Sequence, residues 1–68
     1  MMSQQERLQT IIESADRAKS LATLSKMLMD ANRHDEAHSH LQALSQTGSY
    51  IEQLADVAIT QLPEEVAA

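Results

Sequence analysis

The sequence has no cysteine, one glycine, one proline and one aromatic residue, Tyr50, among its 68 residues. The lack of cysteine excludes disulfide bonds and thiolate zinc sites, and it is compatible with a reducing compartment. A single tyrosine cannot form the row of stacked aromatic side chains on which single-stranded nucleic acid binds. A chain this short also buries only a small fraction of its surface, so it needs a metal, a crosslink or a partner to be comfortably stable.

Positive charge is also scarce, because five Lys and Arg residues are outnumbered by ten Asp and Glu residues and the net charge is −5. Proteins that bind the phosphates of nucleic acids present clustered Lys and Arg, so this balance disfavours such a function. No apolar run approaches the roughly 20 residues of a membrane span. The N-terminus lacks the basic segment and the apolar core of a signal peptide, so we expect a cytoplasmic protein.

The residues that are present favour two long helices. Residues 4–31 contain no Gly or Pro and are rich in Ala, Leu, Gln, Glu and Met, and residues 34–62 are similar apart from Gly48. Pro63 is expected to end the second helix, because proline cannot continue the hydrogen-bond ladder. We therefore predict a single domain over residues 1–68, with helices at about 4–31 and 34–62, a turn at about 31–34 and a flexible tail at 63–68.

Apolar and small residues recur at alternating spacings of three and four in both predicted helices, which is the a/d heptad pattern of a left-handed helix pair. They are Leu8, Ile11, Ala15, Ala18, Ala22, Ser25 and Met29 in the first helix, and Ala37, Leu41, Leu44, Gly48, Ile51, Ala55, Ala58 and Leu62 in the second. Folding the chain back at residue 33 matches large side chains with small ones along most of this length. The sequence thus predicts an all-α antiparallel hairpin with a coiled-coil-like interface, in which Ala18 and Gly48 allow the closest approach of the backbones.

A further group of apolar residues lies to one side of these heptad positions. At about 100° per residue, they share one face of the hairpin and have no partner within the chain. They are Leu21, Leu24, Leu28, Tyr50, Leu54 and Val57. Exposed apolar surfaces of this kind usually mark interfaces. We therefore predict that this face binds a partner, either a second copy that completes a homodimeric four-helix bundle or another helical protein.

Residues 31–40, ANRHDEAHSH, contain all three histidines and imitate two catalytic motifs. Residues 35–38 spell the helicase box DEAH, but that motif acts beside a phosphate-binding loop that needs more than one glycine. His34 and His38 have the i, i+4 spacing of a zinc peptidase, yet Asp35 replaces the catalytic Glu and no third ligand follows at a suitable spacing. The two histidines would bind zinc or nickel only adventitiously, so we predict no enzyme activity, no metal site and no cofactor.

The same segment is better explained as a turn followed by the start of a helix. Asn32 is a favourable N-cap residue, and Asp35 then falls at the third helical position, where a carboxylate completes a capping box. Asp35 and Glu36 also stabilise the positive end of the helix dipole.

Residues 28–44, LMDANRHDEAHSHLQAL, resemble the turn between the two helices of a tetratricopeptide repeat. The matching residues are Asn32, Arg33, Asp35, Glu36, Ala37, Leu41 and Leu44. Ala31 and His34 depart from the glycine and the aromatic residue that are usual in the repeat. No second copy follows at a period of about 34 residues, so the resemblance implies a tight helix–turn–helix and not a repeat array.

The whole chain resembles the small two-helix co-chaperones of type III secretion needle proteins in its length, its central turn and its amphipathic segment YIEQLADVAITQL. This resemblance implies a cytosolic hairpin that binds a tetratricopeptide partner and keeps an aggregation-prone subunit soluble. We accordingly predict a non-enzymatic interaction module, either a small chaperone or adaptor or an inhibitor. The alternative is a homodimeric helical bundle that acts as a regulator by binding RNA or DNA.

Overall fold

The structure is a computed structural model that describes the backbone of residues 2–67 and the side chains of residues 2–62. Two α-helices, α1 (Gln4–Asp30) and α2 (His34–Ala67), pack against each other. They are antiparallel, because a three-residue turn joins them and the side chain of Gln4 bonds to the carbonyl of Ala58. The Cα atoms extend over 54 × 17 × 14 Å, as two helices side by side require. The all-α hairpin and the position of its turn are therefore as predicted.

Helix α1 begins at a side-chain cap. Ser3 Oγ accepts a hydrogen bond of 3.1 Å from the backbone N–H of Glu6, and the Ser3 carbonyl accepts one from the N–H of Arg7. The hydroxyl satisfies one of the four N–H groups that a helix start leaves free, and Glu6 places a carboxylate in the first turn. The N-terminus of α1 therefore has a side-chain cap within its own sequence.

The turn ends α1 in a Schellman motif with Asn32 at its centre. Asn32 has a φ of 60°, which is the left-handed conformation. Its N–H donates to the Met29 carbonyl at 3.0 Å, and the N–H of Arg33 donates to the Leu28 carbonyl at 2.8 Å. These two bonds define the motif, and Asn is the commonest residue after Gly at its left-handed position. Asn32 therefore caps the C-terminus of α1, and the prediction that it is the N-cap of the second helix was wrong.

Arg33 occupies the N-cap position of α2 instead, since its carbonyl accepts a bond of 3.0 Å from the N–H of Ala37. Its guanidinium pairs with the Glu36 carboxylate at 2.5 Å, which is the only ion pair among the described residues. Both side chains are more than half exposed, so the pair contributes at most about 1 kcal/mol. Asp35 and Glu36 do lie in the first turn of α2, as predicted, but Asp35 is its second residue and not the third, where the capping box was predicted.

The Asn32→Ala variant is expected to destabilise the hairpin by about 1 kcal/mol, because a β-carbon without a compensating polar group disfavours the left-handed conformation. Asn32→Gly is the matched variant, and it is expected to be neutral or stabilising because glycine adopts positive φ without a steric penalty. Urea denaturation followed by circular dichroism measures both changes. Equal destabilisation by Ala and Gly would contradict the conformational explanation and point to the Asn32 side chain itself.

The residues that the two helices bury against each other follow a regular heptad pattern. In α1 they are Gln4, Arg7, Ile11, Ser14, Ala18, Leu21, Ser25 and Leu28, and in α2 they are Ala37, His40, Leu44, Thr47, Ile51, Leu54, Ala58 and Gln61. Arg7, Ser25, Ala37 and Ala58 are buried, and the others are half-buried. These sixteen residues form the helix–helix interface.

This interface is rotated relative to the predicted one. The observed and the predicted interfaces share one row of heptad positions in each helix. These shared positions are Ile11, Ala18 and Ser25 of α1 and Ala37, Leu44, Ile51 and Ala58 of α2. The second row is displaced by one residue, so that Leu21, Leu28 and Leu54 enter the interface. Four large residues that were predicted to be buried there, Leu8, Met29, Leu41 and Leu62, are instead 42–49% exposed. The predicted second row was therefore wrong in both helices.

Gly48 lies in the middle of α2 and faces away from α1. A β-carbon at this position would have no neighbour within 4 Å. The predicted close approach of Ala18 and Gly48 therefore does not occur, and α2 also continues through Gly48 without a break. Glycine in a helix interior costs about 1 kcal/mol relative to alanine, and no contact within the hairpin offsets that cost.

Helix α2 continues beyond Leu62, where the sequence predicts its end. Residues 63–67 are helical, including Pro63 and most of the segment that was predicted to be a flexible tail. Proline has no N–H to donate to the carbonyl of Ile59, so this turn has one hydrogen bond fewer than the turns before it. The side chains of this segment lie outside the described residues.

Candidate functional site

The described part of the hairpin has almost no hydrophobic core. Ala37 and Ala58 are its only buried apolar residues. By contrast, eleven large hydrophobic side chains expose between 37% and 64% of their surface. Neither helix, over its described residues, contains an apolar stretch long enough to cross a bilayer. Because burial of apolar area is the main stabilising term in folding and association, these exposed side chains are the candidate functional surface.

Polar residues make up nearly half of the helix–helix interface, and Ser25 and Thr47 among them bond to carbonyls of their own helices. Ser25 Oγ donates to the Leu21 carbonyl at 2.7 Å, and Thr47 Oγ1 donates to the Ala43 carbonyl at 2.9 Å. His40, which is half-buried, has its Nδ1 atom 2.8 Å from the Glu36 carbonyl. Among the described residues, no buried side-chain nitrogen or oxygen lacks a hydrogen-bond partner. These local bonds make small polar side chains compatible with a narrow interface.

The guanidinium of Arg7 closes the open end of the hairpin, where it is only 5% exposed. It donates to Gln4 Oε1, to Gln61 Oε1 at 2.7 Å and to the Met2 carbonyl at 3.1 Å. Gln4 Nε2 in turn donates to the Ala58 carbonyl at 3.0 Å. Within the described part of the chain, all the acceptors of this guanidinium are neutral. The cluster therefore joins the two helices and sets their register, and it contains no nucleophile or general base.

One flank of the helix–helix interface carries part of the face that was predicted to bind a partner. Leu24, Tyr50 and Val57 expose 44–45% of their surface, and we call these three residues the tyrosine face. Leu21, Leu28 and Leu54 are half-buried, because they belong to the helix–helix interface next to this face. The structure thus places three of the six predicted residues on the surface and three between the helices.

A shallow depression lies at the turn end of the tyrosine face. Its lining includes the apolar side chains of Leu24, Met27 and Leu28, together with His40, and the Arg33–Glu36 pair borders it. An apolar floor with a charged rim suits a single large apolar side chain of a bound protein, because the rim groups stay in water when the floor is covered.

The opposite flank of the interface is a second apolar face, whose residues were predicted to lie between the helices. Each of its residues follows an interface residue by one position, and in an antiparallel pair such positions of both helices project to the same side. They are Leu8, Ala15, Ala22 and Met29 of α1 and Leu41, Gly48, Ala55 and Leu62 of α2, and we call them the alanine face. All are exposed except Ala55, which is half-buried. None has a polar side chain, whereas the flank with the tyrosine face also carries Arg17 and Glu36.

The histidine segment presents no assembled site. His34 and His38 are exposed on the first turns of α2. No group of three or more His, Asp or Glu side chains within the described ranges is arranged to hold a metal ion. The arrangement around residues 31–40 is therefore that of a helix–turn–helix connection.

Comparison of the chain with protein-family models, with curated proteins and with solved structures gives no match. The surfaces described above are therefore the basis on which its function is proposed.

Proposed function

We propose that the protein is a non-enzymatic interaction module, a small chaperone, adaptor or inhibitor, that binds a helical partner protein on its tyrosine face. The exposure of Leu24, Tyr50 and Val57 carries this proposal, since they lie beside an interface whose only buried apolar residues are two alanines. Covering these side chains with another helix would remove apolar area from water that two helices alone leave exposed.

The arrangement of the tyrosine face suits a helix better than a small ligand. Tyr50 and Val57 lie one heptad apart on α2, which is about 10 Å along the helix axis, and Leu24 lies on the neighbouring helix. An amphipathic helix presents its own apolar residues at the same repeat when it lies along such a groove. Tyrosine is also enriched among the residues that dominate binding energy, because its ring is large and its hydroxyl accepts a polar neighbour.

Charge disfavours the alternative of a homodimeric bundle that binds RNA or DNA. The chain has five fixed cations and a net charge of −5. Two of these cations are engaged within the chain, since Arg7 is buried and Arg33 pairs with Glu36. We expect no retention on immobilised RNA or DNA at physiological ionic strength, because too few phosphates would be neutralised. Retention that weakens as salt is raised would favour the nucleic-acid alternative.

The double variant Leu24→Glu with Tyr50→Glu is expected to lose its protein partner and to keep its helix content. Two charges on the tyrosine face would have to be desolvated on binding, so we expect an affinity loss of at least about 100-fold. Affinity capture from the native cell lysate identifies the protein that the wild type retains, and calorimetry with that purified protein measures the loss.

The matched control is Thr23→Glu with Ser49→Glu. Thr23 and Ser49 are exposed, directly precede the two face residues, and point away from the tyrosine face. This variant gains the same charge on the same helices, so it is expected to bind as the wild type does. Equal binding by the face variant and the wild type would exclude the tyrosine face as the docking surface.

A further inference from the structure

We propose that the alanine face pairs with the alanine face of a second copy, so that two hairpins form a four-helix bundle with both turns at the same end. This assembly uses the flank opposite the tyrosine face and does not depend on the function proposed for that face. It leaves both tyrosine faces on the outside of the bundle, available to other proteins.

Three small residues of the alanine face, Ala15, Ala22 and Gly48, are exposed in the single hairpin. Nothing lies within 4 Å of a β-carbon built at Gly48, and Ala15 and Ala22 are exposed. Small residues on a helix surface allow another helix backbone to approach closely. A second copy lying on this face would therefore give Gly48 the packing role that α1 of its own chain does not supply.

The distribution of large and small side chains supports self-pairing. The bonds from Gln4 to Ala58 and from Arg7 to Gln61 set the register of the two helices. From the open end to the turn, the order along the face is then Leu62, Leu8, Ala55, Ala15, Gly48, Ala22, Leu41 and Met29. Small residues occupy the middle of the face, and large residues occupy both ends.

A two-fold axis parallel to the helices places α1 of one copy antiparallel to α2 of the other. At equal heights, Leu8 then meets Ala55 of the second copy, and Ala22 meets Leu41 of the second copy. Between these two large-on-small levels, Ala15 meets Gly48, where the helices can approach most closely. Matching large with small side chains at successive levels is what close packing of helices requires.

Charge favours the same orientation over the one with the turns at opposite ends. The α1 edge of the alanine face carries Lys19 and Lys26, whereas the α2 edge carries His38, Ser45 and Glu52. With the turns together, each α1 edge lies along an α2 edge, so the lysines and Glu52 share one rim. With the turns at opposite ends, α1 would lie on α1, and the lysines of both copies would repel each other.

The outline of the hairpin is comparable in size with the interface of a stable dimer. Its broad side spans 54 by 17 Å between Cα atoms, a rectangle of about 900 Å². A standard stable interface buries about 800 Å² per partner. The four large residues of the face are 42–49% exposed in the single hairpin, so pairing would cover side chains that one chain leaves in water.

Light scattering after size exclusion tests the proposal directly. The wild type is expected to have twice the chain mass of 7.5 kDa, and the Ala15→Glu, Ala22→Glu double variant is expected to have the single-chain mass. The Leu24→Glu, Tyr50→Glu variant is the control, and it should stay dimeric while losing its protein partner. A wild type with the single-chain mass, or an alanine-face variant that keeps the double mass, would overturn the proposal without affecting the tyrosine face.

Disulfide crosslinking gives a second test that does not depend on the folding of a charged variant. The chain has no cysteine, so a chain with Ala15→Cys can be mixed with a chain with Gly48→Cys and oxidised after subunit exchange. The disulfide between residue 15 of one chain and residue 48 of the other is expected to form more often than random pairing would give. In the proposed dimer these two positions face each other, whereas the two copies of residue 15 lie on diagonally opposite helices. A statistical mixture, or an excess of the disulfide between two copies of residue 15, would overturn the proposed orientation.

Discussion

The Leu54→Glu variant is expected to lose about 3 kcal/mol of folding free energy, because it places a charge in the helix–helix interface. Leu54 is half-buried there and, in the register set by the Gln4–Ala58 and Arg7–Gln61 bonds, lies level with Ile11, so a glutamate at this position would lose part of its hydration. A two-helix protein with so small a core has a low free energy of unfolding, which a loss of this size would largely cancel. Urea denaturation followed by far-ultraviolet circular dichroism is expected to show a variant that is largely unfolded without denaturant.

Val57→Glu is the matched control for this substitution. Val57 lies on the same helix three residues further on, and 44% of its surface is exposed. The added glutamate stays in water, so the expected loss is below about 1 kcal/mol. If Val57→Glu were as damaging as Leu54→Glu, the boundary between the helix–helix interface and the tyrosine face would lie elsewhere than the structure places it.

The Arg7→Ala variant is expected to lose about 2 kcal/mol, because hydrogen bonds to a charged group and the packing of a long side chain disappear together. The carbonyl oxygens of Gln4 and Gln61 would lose a shared donor, and the bond from Gln4 to the Ala58 carbonyl would be left as the described link between the helices at the open end. Amide hydrogen exchange is expected to show loss of protection near the open end while the turn end keeps its protection.

Arg7→Met separates the two contributions to this loss. Methionine keeps much of the volume, and removing a buried charge recovers its desolvation cost, so the expected change is below about 1 kcal/mol. A methionine variant as unstable as the alanine variant would show that the guanidinium bonds, and not the filled space, hold the open end together. Urea denaturation of the three proteins gives the comparison.

The two proposed surfaces have a joint consequence for binding. In a bundle paired through the alanine faces, the two tyrosine faces point in opposite directions. Each dimer would then bind two partner molecules, or two sites of one extended partner with a gain in avidity. The stoichiometry of the purified complex is therefore informative about both surfaces.

The sequence predicts the two helices and the turn because both depend on local chemistry. A long segment without Gly or Pro favours helix wherever it lies, and residues 31–33 combine the end of one heptad pattern with the start of another. The residue type alone does not fix the position of Asn32, because asparagine suits both a helix N-cap and the left-handed position after a helix. Only the hydrogen bonds of Asn32 and Arg33 to α1 decide between these two positions.

The candidate surface was predicted less completely, because each helix has two adjacent rows of heptad positions that suit burial. Ser25 was among the predicted interface residues, whereas Ser14 and Thr47 were not. In the structure, Ser25 and Thr47 bond to the carbonyls four residues earlier, so their hydroxyl groups place little polar surface between the helices. Leu21, Leu28 and Leu54 then become available for the interface, where they bury more apolar area than the alanines of the other row.

The sequence by itself determined the two helices, apart from the end of the second, the antiparallel hairpin and the presence of more apolar surface than two helices can cover. These depend on helix propensity, on the turn and on the number of apolar residues, all of which are local or additive. The tertiary structure decided which row of residues faces inward, because that choice depends on how serines, threonines and Arg7 satisfy their hydrogen bonds between two particular helices. It thereby divided the predicted partner-binding leucines between the interior and the tyrosine face, and it placed Ala15 and Ala22, which were predicted to lie between the helices, on a second surface.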